Sequence, residues 1–360
     1  MPLSEKLVLV NRREKAGSVG SNRYDFQKDW TIGKILELHT NNSDYCVICD
    51  YHEDVVLLDS EDNPTATNLV QIKTSKNKVW TPESLVTSKK SKEGDLLGSI
   101  LGKLYSTANS FSEYKTEVRV VSNAPFKFSL SNGKSSLALK LINIKDIDTT
   151  DLDKLRGAIK TECSIDDCDQ CFPCCFEVTD LSLDSHSTHT KGKVLEFLDS
   201  QNMANANAAA LYRVLFDTVK NKTNYEADIA SFGELKAKKG IGISYLSKIL
   251  KDISSSVSSE ELWGTLSSVL LSEGVTAIKL AKIRQAWDVY DVDKMNPLNE
   301  PIFETRKVVN ACVKVILEEH EDTKMLEIAK MIRPKIDQKF QYQFTDDYIL
   351  VMAFRAMYES

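Results

Sequence analysis

The chain has 360 residues, 42% hydrophobic and 27% charged, an ordinary balance for a soluble globular protein of about two domains. No apolar run reaches the ~18 residues of a membrane helix, and Leu7-Val8-Leu9-Val10 is too short for the apolar core of a secretory leader, so a cytoplasmic protein with no membrane partner is expected. The net charge of -6 speaks against a surface that grips nucleic acid all over, but it leaves room for a local basic channel. Lys73, Lys76, Lys78, Lys89, Lys90 and Lys92 form such a concentration, which charge alone reads more simply as a solvated loop.

In chain order, "GSVGSNRYDFQKDWTIGKILELH" (17–39) predicts a helix behind a Gly/Ser-rich entry, with Tyr24, Phe26, Trp30, Ile32, Ile35, Leu36 and Leu38 as its apolar face and Ser21 or Asn22 as its cap. Strands are expected at 45–51, 54–58, 69–73 and 116–123, with a turn at "NPTATN" and a further helix within 83–106. A strand, a crossover helix and a second strand imply a mixed α/β sheet. From about residue 193 strand signals fade and amphipathic helices follow one another. The expected division is an α/β domain over 1–192 and an all-α domain over 193–360.

The segment "EDVVLLDSEDNPTATNLVQIKTSKNKVW" (53–80) carries the first chemical signal. Asp54 opens one strand, and Gln71 and Lys73 stand two apart on the next, so both project to one face while Ile72 points to the core. Phosphodiester cleavage needs a divalent cation, a positioned water and a positive group near the developing charge. Mg²⁺ needs only a few side-chain oxygens and keeps several waters, so a carboxylate and an amide carbonyl on facing strands are adequate donors. Taken alone, the same residues describe a hairpin with a surface lysine and a turn-capping aspartate.

The flanking motifs narrow this choice. "GSVGSNRYDFQKDW", "YHEDV", "VQIKT" followed by "WT", "GSILGKLY" and "VRVVSNAPF" stand in order over residues 15 to 130. Together with the D…QxK pattern they resemble the PD-(D/E)xK double-stranded DNA endonuclease domain of bacterial anti-phage effectors. That family is found in CBASS nuclease effectors and in nucleases paired with HerA-type ATPases. The resemblance implies a restriction-endonuclease-like α/β fold, Asp54 as metal ligand, Gln71 in the place of the usual second acid, and Lys73 as the catalytic lysine. It also implies Glu53 and Gln27 as further ligand or water contacts, and Mg²⁺ or Mn²⁺ as cofactor. Glutamine at 71 leaves less negative charge at the site and implies weaker metal affinity. Arg23 reads either as a phosphate contact or as an exposed helix arginine, and Asn123 as a turn-fixing residue.

"CSIDDCDQCFPCC" places Cys163, Cys168, Cys171, Cys174 and Cys175 together, with His186 and His189 following. The C-x2-C spacings suit structural Zn²⁺ held by four of these cysteines, or by two or three with a histidine. An iron–sulfur pattern and a reduced, metal-free loop stay open. Cys46 and Cys49 read as packing residues. In "ELKAKKGIGISYLSKIL" (234–250) the Gly-Ile-Gly reads either as a helix–hairpin–helix turn that meets DNA phosphate or as a tight interhelical turn.

The helical half lacks the strand patterns of the α/β cyclic-oligonucleotide sensor found in CBASS effectors. The expected function is therefore a metal-dependent DNA endonuclease in anti-phage defence, acting on double-stranded DNA, homo-oligomeric and activated by assembly with a HerA-type hexameric ATPase. The alternatives are the same nuclease gated by a cyclic oligonucleotide and a non-catalytic nucleic-acid-binding scaffold with a relic nuclease fold.

Overall fold

The computed structural model describes residues 1–10, 21–41, 44–76, 78–88, 97–163, 173–203, 206–255, 259–294, 299–320, 323–336 and 343–359. The chain divides into two compact units. The first comprises residues 1–197 with 219–247, and the second 198–218 with 248–360.

The first unit is built on one mixed sheet of seven strands in the order β5-β6-β4-β3-β2-β1-β7. β1 (Cys46–Cys49), β2 (Val55–Leu58) and β3 (Ala66–Lys73) form an antiparallel meander. β4 (Lys115–Ser122) runs parallel to β3, and β6 (Cys174–Val178) runs parallel to β4. β5 (Leu141–Asn143) closes one edge antiparallel to β6, and β7 (Gly240–Gly242) closes the other antiparallel to β1. The central strands bury residues of both parities, so they read as continuous Val/Ile/Leu runs, as expected of a sheet covered on both faces.

On one face, Val56, Leu58, Leu69, Val118, Val120 and Phe176 share a core with Leu101, Leu104, Tyr105 and Ala108 of α4 (Ile100–Asn109) and with Leu155 and Ile159 of α5 (Thr149–Cys163). The other face meets α2 (Ser21–Asn41), a helix of 21 residues whose Phe26, Trp30, Ile32, Ile35 and Leu36 are buried as the apolar periodicity predicts. The single helix expected within 83–106 is instead a short α3 (Pro82–Val86) and a separate α4. α3 starts on a reciprocal Thr81–Ser84 capping box, and α4 starts on Ser99, whose hydroxyl accepts from the Gly102 N–H.

The fold also departs from expectation at "GIG". Residues 240–242 pair with Cys46, Val47 and Ile48, and the Ile243 N–H donates to the Tyr45 carbonyl at 3.1 Å. Amides that a DNA-gripping turn would present to phosphate are thus engaged within the fold, that of Gly240 with the Lys236 carbonyl and that of Ile243 with Tyr45. Gly240 and Gly242 are both buried, and a Cβ on Gly240 would lie 2.8 Å from the Lys236 backbone, which explains the glycine there.

The second unit is helical among its described residues. Its core joins α10 (Ser259–Ser272), α11 (Ala277–Asp293), α12 (Glu300–Glu319), α13 (Met325–Ile332) and α14 (Asp346–Glu359) through Leu266, Trp287, Val313, Ile328 and Phe354. Within it sits Arg355, 1% exposed. Its guanidinium meets the Asp291 carboxylate, donates to Ser259 Oγ at 2.6 Å and stacks 3.9 Å from the Trp287 ring. A buried charge keeps its place only while such partners remain. Asp291→Ala is therefore expected to destabilise the protein by about 3–5 kcal/mol in urea denaturation, because it strands the Arg355 charge in the core.

Candidate active site

The candidate residues converge where β2 begins and β3 ends. Val55 pairs with Val70, so one step further along the same register Asp54 stands opposite Gln71. Directly opposed residues share a face, and their side chains meet. The Gln71 amide donates to Asp54 Oδ2, and the same oxygen accepts the Ile72 N–H at 2.6 Å. Asp54 therefore holds the β3 backbone as well as the neighbouring side chain. Gln71 is 7% exposed and Ile72 2% exposed, while Lys73 at the strand end is half-buried. Lys73 has no hydrogen-bond or ion-pair partner among the described residues. Its ammonium is thus uncommitted, on the strand face that Gln71 shares, and neither residue lines the small cavity that Asp54 lines.

The exit of β3 is clamped from β4. Lys73 is in register with Ser122, and the next residue, Asn123, reaches across. Its Oδ1 accepts the Ser75 N–H at 2.9 Å and its Nδ2 donates to the Ser75 carbonyl at 2.8 Å, the turn-fixing part expected of it. Trp80 Nε1 donates to Ser122 Oγ at 2.8 Å and ties the following segment to the same strand end.

Beside Asp54 lies a cavity of about 30 Å³, enough for a water molecule or a small cation. α2 lines it with Tyr24, Gln27, Lys28 and Thr31, which at i, i+3, i+4 and i+7 form one helix face. Gln27 Nε2 also donates to the Ile72 carbonyl at 3.4 Å. Asp50 lines the cavity from the β1–β2 turn, where it adopts φ 45°, a left-handed conformation that aspartate tolerates better than most residues. Lys28 and Asp50 were not singled out from the sequence. The α2 periodicity, read on its polar side, carries the signal for Lys28.

A larger cavity of about 340 Å³ opens between α2 and β6, but its Arg119–Glu177, Lys34–Glu37 and Lys140–Asp180 pairs neutralise one another. The small cavity is the one beside the Asp54 carboxylate.

Glu53 takes a different place. It is 4% exposed, accepts from Thr107 Oγ1 of α4 at 2.8 Å, and does not line the cavity beside Asp54. It follows that Glu53 ties α4 to the start of β2. Arg23 is exposed on the first turn of α2.

The cysteine cluster is described in part. Cys168 and Cys171 lie outside the described residues. Cys163 ends α5 and donates to the Gly102 carbonyl at 3.2 Å. Cys174 is buried in the core with Phe176, whereas Cys175, its neighbour on β6, projects to the opposite face beside Arg119. Adjacent strand residues cannot turn to one ion without leaving the ladder. His186 is engaged elsewhere: its ring nitrogens face Asp29 Oδ2 and Asn22 Oδ1, the latter at 3.0 Å. Among the described residues, no group of three or more His, Cys, Asp or Glu is arranged to hold a metal. Cys46 and Cys49 are buried in β1, and burial pushes both thiols up to about 12, so they are inert packing residues.

The donors at Asp54 fit a hard divalent cation. Mg²⁺ binds through one or two carboxylates while keeping waters, and Asp54 supplies one such carboxylate; the Gln71 amide presents its nitrogen to it, so its oxygen reaches the same place only with the amide turned over.

A family model decides the wider identity: residues 15–223 match Cap4, dsDNA endonuclease domain. The chain belongs to the Cap4 endonuclease-domain family. The match covers more than half of the chain and includes every residue of the Asp54 site. It makes the protein a DNA endonuclease of anti-phage defence, with double-stranded DNA as substrate. No curated protein and no solved structure matches significantly. No helix among the described residues is long and apolar enough to cross a membrane.

Thr107→Val keeps the shape of the side chain but removes the donor to Glu53. It is expected to cost about 1.5–3 kcal/mol, the scale of one hydrogen bond to a charged group, measured by chemical denaturation with α4 retained in the circular-dichroism spectrum.

Proposed function

We propose that this Cap4-family endonuclease is metal-dependent, with Asp54, Gln71 and Lys73 as its catalytic centre. The observation that carries the reading is the in-register opposition of Asp54 and Gln71, with the unpartnered Lys73 two residues along the same strand. Asp54 and, with its amide turned over to present the oxygen, Gln71 would hold Mg²⁺ or Mn²⁺. The cation would supply charge neutralisation on the scissile phosphate and acidify a bound water. Lys73 places a positive charge where negative charge develops on the phosphate during attack. Gln27 orients the β3 backbone from α2, and the wall that Tyr24 and Thr31 share with it bounds the space open to water.

Asp54 is held by two N–H donors on one oxygen, so its orientation is set before any ligand arrives. Preorganisation of this kind is what makes a small electrostatic site effective. Gln71 contributes a neutral oxygen where an acid would contribute a charge. Gln71→Glu is expected to lower the half-saturating Mg²⁺ concentration for cleavage by about 10-fold, on the scale of ligand-shell changes at metal sites. A titration of cleavage rate against Mg²⁺ checks this, and unchanged metal dependence contradicts Gln71 as a ligand.

We propose further that activity is gated by assembly of homo-oligomers with a HerA-type hexameric ATPase. The support is the family resemblance and the large second unit, whose described residues are helical and contain no α/β sensor pattern. Supercoiled plasmid is incubated with the purified chain, alone and with the co-expressed ATPase, in Mg²⁺ or EDTA, beside Lys73→Ala. Cleavage is expected only with the partner and Mg²⁺, and it disappears in Lys73→Ala. Full-rate cutting by the isolated chain overturns the gating. Cutting that survives both EDTA and Lys73→Ala overturns the catalytic centre.

A further inference from the structure

Among the described lysines of the first unit, Lys239 and Lys222 are the least exposed. Lys222 is 7% exposed and Lys239 1% exposed. Lysine ammonium is strongly hydrated, and removing it from water costs several kcal/mol unless polar atoms replace the water. For Lys239 those atoms include two backbone carbonyls. Its Nζ donates to the Asp50 carbonyl at 2.8 Å and to the Thr223 carbonyl at 3.1 Å. Lys222 instead donates to the Ala237 carbonyl.

The Asp50 carbonyl belongs to the turn that delivers Asp54. Asp50 has φ 45°, and its N–H donates to the Asp54 carbonyl at 3.0 Å, closing the β1–β2 connection. Asp54 then accepts the Ile72 N–H at 2.6 Å. An unbroken series of hydrogen bonds therefore runs from Lys239 through Asp50 and Asp54 to β3.

Lys239 itself is held firmly. It ends α8 (Phe232–Lys239) and is followed at once by β7, which pairs with β1 on the strand leading into this turn. A Cβ on Gly240 would meet the Lys236 backbone at 2.8 Å, so chain packing on this side of Lys239 is close. Both α8 and β7 lie beyond the 15–223 segment that the family model matches.

We infer that Lys239, supplied from beyond the family-matched segment, is a positioning residue for the Asp50–Asp54 turn and through it for the Asp54 carboxylate. Its ammonium holds the carbonyl of the left-handed Asp50 and does not itself line the cavity beside Asp54. The nuclease centre is thus completed by the residues that form α8 and β7. The consequence for metal binding rests on Asp54 being a metal ligand, whereas the ordering of the turn does not.

The test is amide hydrogen exchange on the full-length chain, comparing wild type with Lys239→Met, Lys239→Gln, Lys239→Arg and Lys222→Met. Lys239→Met is expected to speed exchange of the amides of residues 50–55 and Ile72 by about 10-fold, the scale of losing a charge-assisted hydrogen bond, with β4 unchanged. Lys239→Arg restores protection, and Lys222→Met leaves residues 50–55 as in wild type. Should Lys239→Met fail to fold, Lys239→Gln, which keeps an N–H donor, decides by the same local readout. In cleavage by the assembled enzyme, the half-saturating Mg²⁺ concentration rises about 10-fold for Lys239→Met with the KM for DNA unchanged. Unchanged exchange at residues 50–55, an equal effect from Lys222→Met, or loosening spread evenly over the sheet overturns the inference. If exchange responds as expected but wild-type cleavage needs no metal, the positioning stands and the metal reading of Asp54 fails.

Discussion

The register between β2 and β3 is the constraint on which the site depends. Because Val55 opposes Val70, Asp54 must oppose Gln71, and the period of two then sets Lys73 on the same side. A slip of one residue would exchange the two faces of the strand and carry Gln71 and Lys73 to the side that Ile72 now fills. Burial of Leu69, Val70 and Ile72 makes that slip costly, so the hydrophobic core of the sheet also fixes the polar geometry at its end. The clamp of Asn123 on Ser75 and the hold of Asp54 on the Ile72 amide then remove the remaining freedom of the strand end.

Much of this was legible because the chemistry sits at the ends of short, strongly apolar strands. "DVVLL" and "LVQIK" are apolar runs with polar residues at their ends, and the order of the flanking motifs selects the nuclease reading over a plain hairpin. Glu53 shows where such reading stops. From the sequence it is an acid next to an acid. In the fold the chain bends between β1 and β2, and Glu53 is committed to Thr107 on α4. Only the tertiary partner distinguishes it from Asp54.

The elements missed are those with weak intrinsic signals. β7 is Gly-Ile-Gly, and glycine has low strand propensity. It is a strand because Cys46–Ile48 offers an open edge. β6 begins at two adjacent cysteines within a run that reads as metal ligands, and that pattern hides the strand that pairs with β4. Lys239 stands beside a turn for which the sequence leaves two readings open, one meeting DNA phosphate and one joining two helices tightly. Its burial follows from the α8–β7 junction, which no periodicity announces. The first unit accordingly draws on residues 219–247, past a stretch of chain that belongs to the second.

The central claim, that Asp54 and Gln71 hold the catalytic cation, is tested most directly by equilibrium binding of Mn²⁺ to the purified chain, followed by its electron paramagnetic resonance signal. This readout does not depend on whether the nuclease is gated. The account predicts saturable binding that Mg²⁺ displaces, lost in Asp54→Asn and tightened in Gln71→Glu. Equal Mn²⁺ binding by wild type and Asp54→Asn would contradict it.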